Sequence, residues 1–386
     1  MVKIRMVDST CFGNWHLHFN SQLIEILSNI ASVVEYRGAQ NIGNSKLNIK
    51  RRKLFVITGS GKLRIILRFL FTLMNDVWQV IIVPNDEIIV YCFDATVSVR
   101  AVNMINKIVK KKVIMFRHGS MEMLQTSPSG KGIFYRFEYN LVKQFFLNKN
   151  LNISTDLHFF VLGDVILKNL SVFLSKDKVK HFHSIDHPYN FDRNALIKER
   201  VQTSKLYIGT VGVFNEYKGG ADLLQLAQIL KRKALDDINI SISGKIEFDI
   251  SLLQDAEIDL PSNGGKEMVS VEELKDRIDK LDYILYFYPV NTYRLTASGA
   301  IFDAITRKRP IIALRNDYFE YIFNKFGSIG YLVDSVSEMA DIIYRISNGV
   351  EKRVDYDFEQ IQDLLSVDNL TKIFAEQLRE IGFIKK

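Results

Sequence analysis

Two short segments of the chain combine residue types that can hold a pair of phosphates. The first is Gly212-Val213-Phe214-Asn215-Glu216-Tyr217-Lys218-Gly219-Gly220. It follows an apolar run at 206–212 and precedes an amphipathic run at 221–232, so it reads as a strand-to-helix turn. Glycines at Gly212 and Gly219 permit positive φ and close backbone approach. A helix start exposes amides with partial positive charge, and Lys218 sets a full charge beside them. The pattern is not a P-loop, because no Gly-Lys-Ser/Thr follows a spaced glycine. A plain connecting loop has the same composition, so the turn alone decides little.

The second segment lies between Tyr288 and Ala304. A helix is expected over 298–306, with Ser298 as its cap and Gly299 leaving its first amides open. Tyr293 and Arg294 stand just before that cap. One anion there would meet a hydroxyl, amides and a guanidinium together. Asp303, further along the helix, suits ribose hydroxyls; the alternative is a solvated helix residue.

Two histidines stand at strand ends. His16 closes Thr10-Cys11-Phe12-Gly13-Asn14-Trp15-His16 after the first strand, and His118 follows the strand at 112–116. Each can hydrogen-bond a hydroxyl or act as a base near neutral pH, or be purely structural. His181, His183 and His187 lack a cysteine or carboxylate in register, so no metal site is expected there. The Asp355-Tyr356-Asp357 triplet reads as solvated surface. No divalent metal and no cofactor is expected.

The elements that position these residues follow from periodicity. Short apolar runs alternate with helical patterns, the signature of parallel sheets covered by helices. In the first half, strands are expected at 2–7, 32–36, 54–58, 79–83, 88–93, 112–116 and 157–162, with a weaker one at 181–185. Helices are expected at 22–29, 62–74, 97–110 and 132–146. The second half predicts strands at 206–212, 238–243, 283–288, 310–314 and 330–333, with helices at 221–232, 271–281, 298–306 and 337–347. A breaker cluster, His187-Pro188-Tyr189-Asn190, sets the boundary. The expected organisation is a domain at 1–190, a linker at 191–204, a second domain at 205–360 and a helical tail at 361–386 that can pack back on the first domain. A chain of 386 residues suits two such domains. Doubly wound domains bind ligands in the crevice between them, at the carboxyl ends of their strands.

Composition narrows the class. Hydrophobic residues at 47% and charged residues at 25% are ordinary for a soluble globular chain. No uninterrupted apolar run of about 18 residues occurs, so no transmembrane helix is expected. The N-terminus turns polar too soon for a signal peptide. Cys11 and Cys92 are expected as free, buried thiols in a reducing cytoplasm. The net charge of +7 is concentrated in the first half, notably at Lys46, Lys50, Arg51, Arg52, Lys53, Lys62, Arg64 and Arg68. Phosphates, anionic lipid headgroups or nucleic acid could answer it, but no nucleic-acid motif is present and no nucleic-acid partner is expected. The segments 62–74 and 131–149 mix basic and bulky apolar residues. They read either as core packing or as a membrane-facing lip for a lipid-linked acceptor.

The two phosphate-holding segments together resemble the C-terminal domain of GT-B fold glycosyltransferases, especially the family 4 type. That family has a strand ending in glycine, a Lys-Gly loop, and a helix reading Glu-Ala before Gly-x-Pro. This chain has Val211-Gly212, Lys218-Gly219, and Asp303-Ala304 before Lys308-Arg309-Pro310. The resemblance covers roughly 206–345, and the N-terminal half more loosely. It implies an α/β architecture of two Rossmann-like doubly wound domains facing a cleft. It implies metal-independent, hexosyltransferase-type transfer of a sugar from a nucleotide-diphosphate donor to a glycan or lipid-linked acceptor, as in surface polysaccharide synthesis. Such an enzyme is cytoplasmic or peripheral at the inner face of a membrane. By resemblance Gly212, Lys218, Gly219, Ser298 and Gly299 bind the donor diphosphate, and Asp303 replaces the ribose-binding glutamate. Arg294, beside Tyr293, replaces a missing arginine. His118 resembles the family's histidine near the donor sugar, and His16 lies in a loop expected to face the cleft. Leu295 stands where the family's first glutamate is expected, and Lys308 replaces the glycine of Gly-x-Pro. These departures suggest a divergent subgroup. They also leave open a GT-B-shaped protein that binds a nucleotide or glycan without transfer.

Overall fold

The computed structural model describes residues 2–43, 47–59, 61–189, 191, 205–233, 237–351, 354 and 356–385. Most of the expected 191–204 linker, and Asp355 of the Asp-x-Asp triplet, lie outside the described residues. The chain forms two compact units. Unit 1 comprises Met1–Asn190, Arg294–Ala297 and Leu365–Lys386, and unit 2 comprises Phe191–Tyr293 and Ser298–Leu364.

Unit 1 runs β1 (Lys3–Val7), α1 (Leu17–Ile30), β2 (Val33–Gly38), β3 (Ile49–Lys53), α2 (Lys62–Ile82), β4 (Glu87–Tyr91), α3 (Val99–Val109), β5 (Lys112–Arg117), α4 (Ile133–Phe146), β6 (Leu157–Val161), α5 (Asp164–Phe173), α6 (Lys176–Val179) and β7 (Phe182–Ser184). The sheet is parallel in the order β3-β2-β1-β4-β5-β6-β7. Successive side chains of a strand point to opposite faces. Tyr91, Val113, Met115 and Phe159 therefore fill one core. Val90, Ile114, Phe116 and Phe160 fill the other, beneath Phe19, Leu23 and Leu27 of α1. Covering on both faces explains why β4 and β5 read as nearly unbroken apolar runs.

Unit 2 runs β8 (Leu206–Val211), β9 (Phe214–Asn215), α7 (Gly220–Arg232), β10 (Ile238–Ser243), β11 (Ile246–Glu247), α8 (Ile250–Asp255), α9 (Val271–Lys280), β12 (Tyr283–Tyr286), α10 (Ile301–Thr306), β13 (Ile311–Leu314), α11 (Asp317–Phe326), β14 (Gly330–Val333), α12 (Val336–Ser347) and α13 (Phe358–Leu364). Its main sheet is parallel, in the order β10-β8-β12-β13-β14. The chain then returns to unit 1 as α14 (Val367–Glu380). Leu370, Phe374 and Leu378 of this helix join the core beside Phe116 and Phe160.

Two sequence expectations fail in unit 1. The run at 54–58 is not a strand; the sheet instead gains β3, whose side chains after Ile49 are exposed. A charged edge strand carries no apolar alternation to betray it, and its charge discourages further pairing. The run at 79–83 is not a strand either, because α2 continues to Ile82. Its burial has helical period: Gln79, Val80 and Val83 are buried and Ile81 is exposed.

Because Phe374 is fully buried in unit 1, Phe374→Ala is expected to destabilise that unit by about 3–5 kcal/mol. The chain's two tryptophans, Trp15 and Trp78, both lie in unit 1. Their fluorescence during urea unfolding therefore reads the effect, and an unchanged midpoint would contradict the packing of α14.

Candidate functional site

In unit 2 the first phosphate-holding turn is shaped by steric constraint. Gly212 has φ 88 and donates its N–H to the Ser243 carbonyl at 2.9 Å. The Asn215 side chain accepts from the Lys218 amide at 3.1 Å and closes a 3-10 turn over Glu216–Lys218. Gly219 has φ 86, and a Cβ there would sit 2.2 Å from the Phe287 Cβ. Conformation and space both require glycine, and the result starts α7 against the chain leaving β12. The Lys218 ammonium lies 5.8 Å from the centroid of the Tyr288 ring. Burial lowers its pKa, and the nearby Glu247 carboxylate opposes that shift. Lys218 also lines a small recess with Thr210, Val211, Tyr286 and Tyr288. A partly desolvated ammonium beside the first amides of a 13-residue helix suits a doubly charged anion.

The second segment differs from expectation. No helix begins at Ser298; α10 starts at Ile301 after an uncapped Ala300. Tyrosines explain the shift. The Tyr286 hydroxyl donates to the Ala300 carbonyl at 2.8 Å. The Tyr288 and Ser298 hydroxyls hydrogen-bond each other at 3.1 Å. The segment is thus pinned as a bend, and the Ser298 hydroxyl is not aimed at α10 as a cap. Gly299 has open space where a Cβ would stand. Tyr293, with φ 56, stacks on Tyr288 at 4.1 Å between centroids. Asp303 is half-buried in the first turn of α10.

Arg294 and Tyr293 are neighbours in sequence but fall in different units. The Arg294 carbonyl accepts from Asn169 at 3.0 Å. The Leu295 amide donates to the Glu122 carboxylate at 2.9 Å, and the Thr296 hydroxyl to the His118 carbonyl at 2.8 Å. The Leu295 side chain is buried in the core of unit 1 with Val7 and Tyr91. The residue in the position of the family's first glutamate is therefore an apolar anchor.

In unit 1 the structure brings His16 and His118 together, with ring centroids 4.8 Å apart. Both loops are held by carboxylates. Asp8 at the end of β1 accepts from the Thr10 and Cys11 amides at 3.0 and 2.8 Å and from Asn20 at 2.8 Å. Gln40 donates to the Gly13 and Trp15 carbonyls. This frame sustains a left-handed His16, φ 55. Asp94 accepts from the His118, Gly119 and Ser120 amides at 3.2, 3.0 and 3.3 Å and from the Ser120 hydroxyl at 2.6 Å. The buried Arg117 guanidinium lies 3.3 Å away. Burial pushes the Asp94 carboxyl up, but Arg117, His118 and these hydrogen bonds outweigh it and hold it below its ordinary value.

The His118 Nε2 lies 2.8 Å from the Cys92 carbonyl. Nε2 must therefore carry the proton, which leaves Nδ1 as an acceptor. Burial, reinforced by the His16 charge, pushes its pKa down to about 3. Such an imidazole orients a hydroxyl better than it takes a proton near neutral pH. His187, read in the sequence as part of a breaker cluster and of a histidine group without a metal-site register, joins this group with its ring 5.2 Å from Phe19, which also packs on His118 at 4.2 Å. Asp94 and Glu122 were not singled out either. Only the position of Asp94, just after an apolar strand, could have hinted at its role. His181 contacts the Leu157 carbonyl at 3.0 Å and His183 contacts His158 at 2.9 Å.

With this geometry in hand, solved structures supply the comparison. The lipopolysaccharide outer core galactosyltransferase WaaB aligns over 98% of this chain and 99% of its own, with TM-score 0.60 and 13% identity. HepE from Anabaena, solved with UDP-glucose, aligns over 98% and 100%, with TM-score 0.60 and 12% identity. WaaG, a glycosyltransferase involved in lipopolysaccharide biosynthesis, aligns over 97% and 95%, with TM-score 0.53 and 12% identity. The fold is GT-B. No family model matches the sequence, and no curated protein matches it. Identities this low place the chain as a divergent GT-B sequence, and the likeness is one of fold.

Protonation of the buried histidines of unit 1 has a measurable consequence. His16, His118, His158, His181, His183 and His187 all have lowered pKa values, mainly through burial. The unfolded chain binds these protons from about pH 6.5 downward, and the folded chain binds them only near pH 4 or below for the most buried. Stability is thus present above pH 6.5 and lost as pH falls. Asp76 and Glu138, each raised to about 7 by burial, act in the opposite sense. Glu25 and Asp222, also raised by burial, act in that same sense. The six histidines outweigh these four carboxyls, so the melting temperature is expected to fall between pH 7 and pH 5. A flat or rising profile would contradict the burial of these rings.

Proposed function

We propose that the protein is a glycosyltransferase that moves a sugar from a nucleoside diphosphate sugar to a glycan or lipid-linked glycan acceptor in surface polysaccharide synthesis. The observation that carries the reading is the Gly212–Gly220 turn. Glycine is required by φ at Gly212 and by space at Gly219 and Gly220, the turn opens a 13-residue helix, and it sets a partly desolvated ammonium next to that helix start in the chain. The glycines bring the start of α7 close against Phe287 and Phe248, and the amides and ammonium gathered there are the groups a diphosphate leaving group uses. The GT-B fold, which known glycosyltransferases share, supports the same reading.

In this proposal Lys218 and the amides after Gly219 neutralise the departing diphosphate, without a divalent metal. Arg294 is the candidate for a second charge, with its backbone fixed by Asn169. Asp303 takes the ribose hydroxyls. His118 accepts a hydrogen bond from a sugar hydroxyl through Nδ1, and His16 completes its surroundings. A hexose is the expected cargo. The burial of Leu295 favours one second reading, a GT-B protein that binds a nucleotide sugar without transferring it, since no carboxylate stands at that position.

Thermal shift with UDP-, GDP- and dTDP-sugars tests the first step. One of them is expected to raise the melting temperature. Lys218→Ala should weaken that ligand by about 1.5–3 kcal/mol, the contribution of a charge-assisted hydrogen bond. No shift with any donor would refute donor binding. A shift without release of nucleoside diphosphate, across candidate acceptors, selects the binding-only reading.

A further inference from the structure

Helix α2 is built inside out. Of its 21 residues only Thr72, Asp76, Gln79 and Val80 are buried, and three of these are polar. Its outward stripe is Leu63, Ile66, Leu70, Met74, Trp78 and Ile81, at helical intervals, with relative exposures of 47% to 69%. A surface helix ordinarily shows the reverse. The inner polar groups are all satisfied. Asp76 accepts from the Ser9 and Ser98 hydroxyls, Thr72 donates to the Ser9 carbonyl at 3.0 Å, and Gln79 accepts from Arg37 at 2.9 Å. Turning the helix to hide the stripe would strip these bonds, each costly to leave unmade in a buried setting. The apolar face is therefore held outward. It continues into Phe137 of α4, which is 48% exposed and stacks on Phe69 at 5.9 Å. A contiguous face of this size marks an interaction site rather than scattered surface residues.

Charge selects the occupant. The charged residues of α2 are Lys62, Arg64 and Arg68 in its first two turns and the buried Asp76, so it carries no exposed carboxylate. The Arg68 guanidinium is spent on the Ile57 and Gly59 carbonyls. Lys62 and Arg64 are exposed, and the edge strand β3 adds Lys50, Arg52 and Lys53. A second copy docking through a helical stripe would want charges of opposite sign along its flanks, and α2 has none. Basic groups with Leu, Met and Trp on one face are the composition of a helix lying in an anionic lipid interface. At about 30 Å, α2 is also long and apolar enough to cross a membrane. Crossing would desolvate Thr72, Asp76 and Gln79, whose partners are in the body of unit 1.

We propose that α2 docks unit 1 on an anionic membrane surface, with the stripe from Leu63 to Ile81 entering the interface and Lys62 and Arg64 meeting the headgroups. The same helix holds Ser9, so the loop leading to His16 is fixed relative to the lipid plane. This proposal does not rest on the transferase reading, because lipid binding is read without donor or turnover.

The test is co-sedimentation of the full chain with phosphatidylcholine vesicles, with and without phosphatidylglycerol. Binding is expected with the anionic vesicles and is weaker with the neutral ones. Lys62→Glu/Arg64→Glu should lower the affinity at low salt by more than about tenfold, since each basic group near such a surface contributes about 1 kcal/mol. Leu70→Glu/Met74→Glu replaces exposed side chains, so the fold is kept while binding is lost. In a Trp15→Phe background the Trp78 emission should shift to the blue on adding anionic vesicles. Failure of the parent chain to bind, or binding unchanged in Leu70→Glu/Met74→Glu, overturns the proposal. So does a dimer in light scattering that Leu70→Glu/Met74→Glu dissolves, which would assign the stripe to a second copy.

Discussion

The Asp94 carboxylate is the interaction on which the histidine site depends. A parallel sheet ends in loops whose backbone amides have lost their ladder partners. At β5 three such amides point inward, and Asp94 accepts all of them together with the Ser120 hydroxyl. It also faces the buried Arg117 charge. Removing one member of a buried, paired set costs several kcal/mol, because the partner is left uncompensated. The position of His118 is a consequence of this arrangement. Its ring is placed by a loop whose every turn is tied to one carboxylate, and its proton is placed by the Cys92 carbonyl.

Unit 2 meets the same constraint with different groups. There the chain between β12 and α10 is held by tyrosine hydroxyls rather than a carboxylate. A neutral phenol satisfies a carbonyl or hydroxyl without adding negative charge. Lys218 therefore has an aromatic ring rather than a carboxylate beside it on this side, with the Tyr288 centroid 5.8 Å from its ammonium. The cost is that Ser298 is committed to Tyr288 and α10 begins later than the sequence suggests. Gly219 complements this design by allowing α7 to approach Phe287 more closely than any side chain permits.

What was legible in the sequence follows from the same physics. β4, β5, β6 and β8 were readable because strands covered on both faces are largely apolar. The turn from Gly212 to Gly220 was readable because only glycine meets its backbone demands. β3 was hidden because an edge strand is selected for charge rather than burial. α2 was cut short because its pattern is inverted: Gln79 and Val80 are buried while Trp78 and Ile81 are exposed, which resembles a short strand in a linear reading. Asp94, Glu122 and His187 carry no local pattern, since each acts on residues distant in sequence. The segment Arg294–Ala297 is the clearest case: adjacency to Tyr293 suggested one site, but Leu295 is an apolar residue and is buried in the core of unit 1.

Leu295 and His118 together constrain the chemistry more than either does alone. A carboxylate at Leu295 would be buried in the apolar core of unit 1, where ionisation is strongly opposed. The leucine is therefore what this core requires, and any sugar-contacting carboxylate has to come from elsewhere. The backbone of the same segment uses the Glu122 carboxylate and the His118 carbonyl as anchors, so these groups are structural partners before they are catalytic candidates. His118, neutral and with Nδ1 as its acceptor, can fix a hydroxyl but holds a proton poorly. In a transfer reaction built on such groups, stabilisation of the leaving diphosphate supplies most of the rate. Lys218 and the amides after Gly219 are the positive groups that unit 2 offers to such a leaving group.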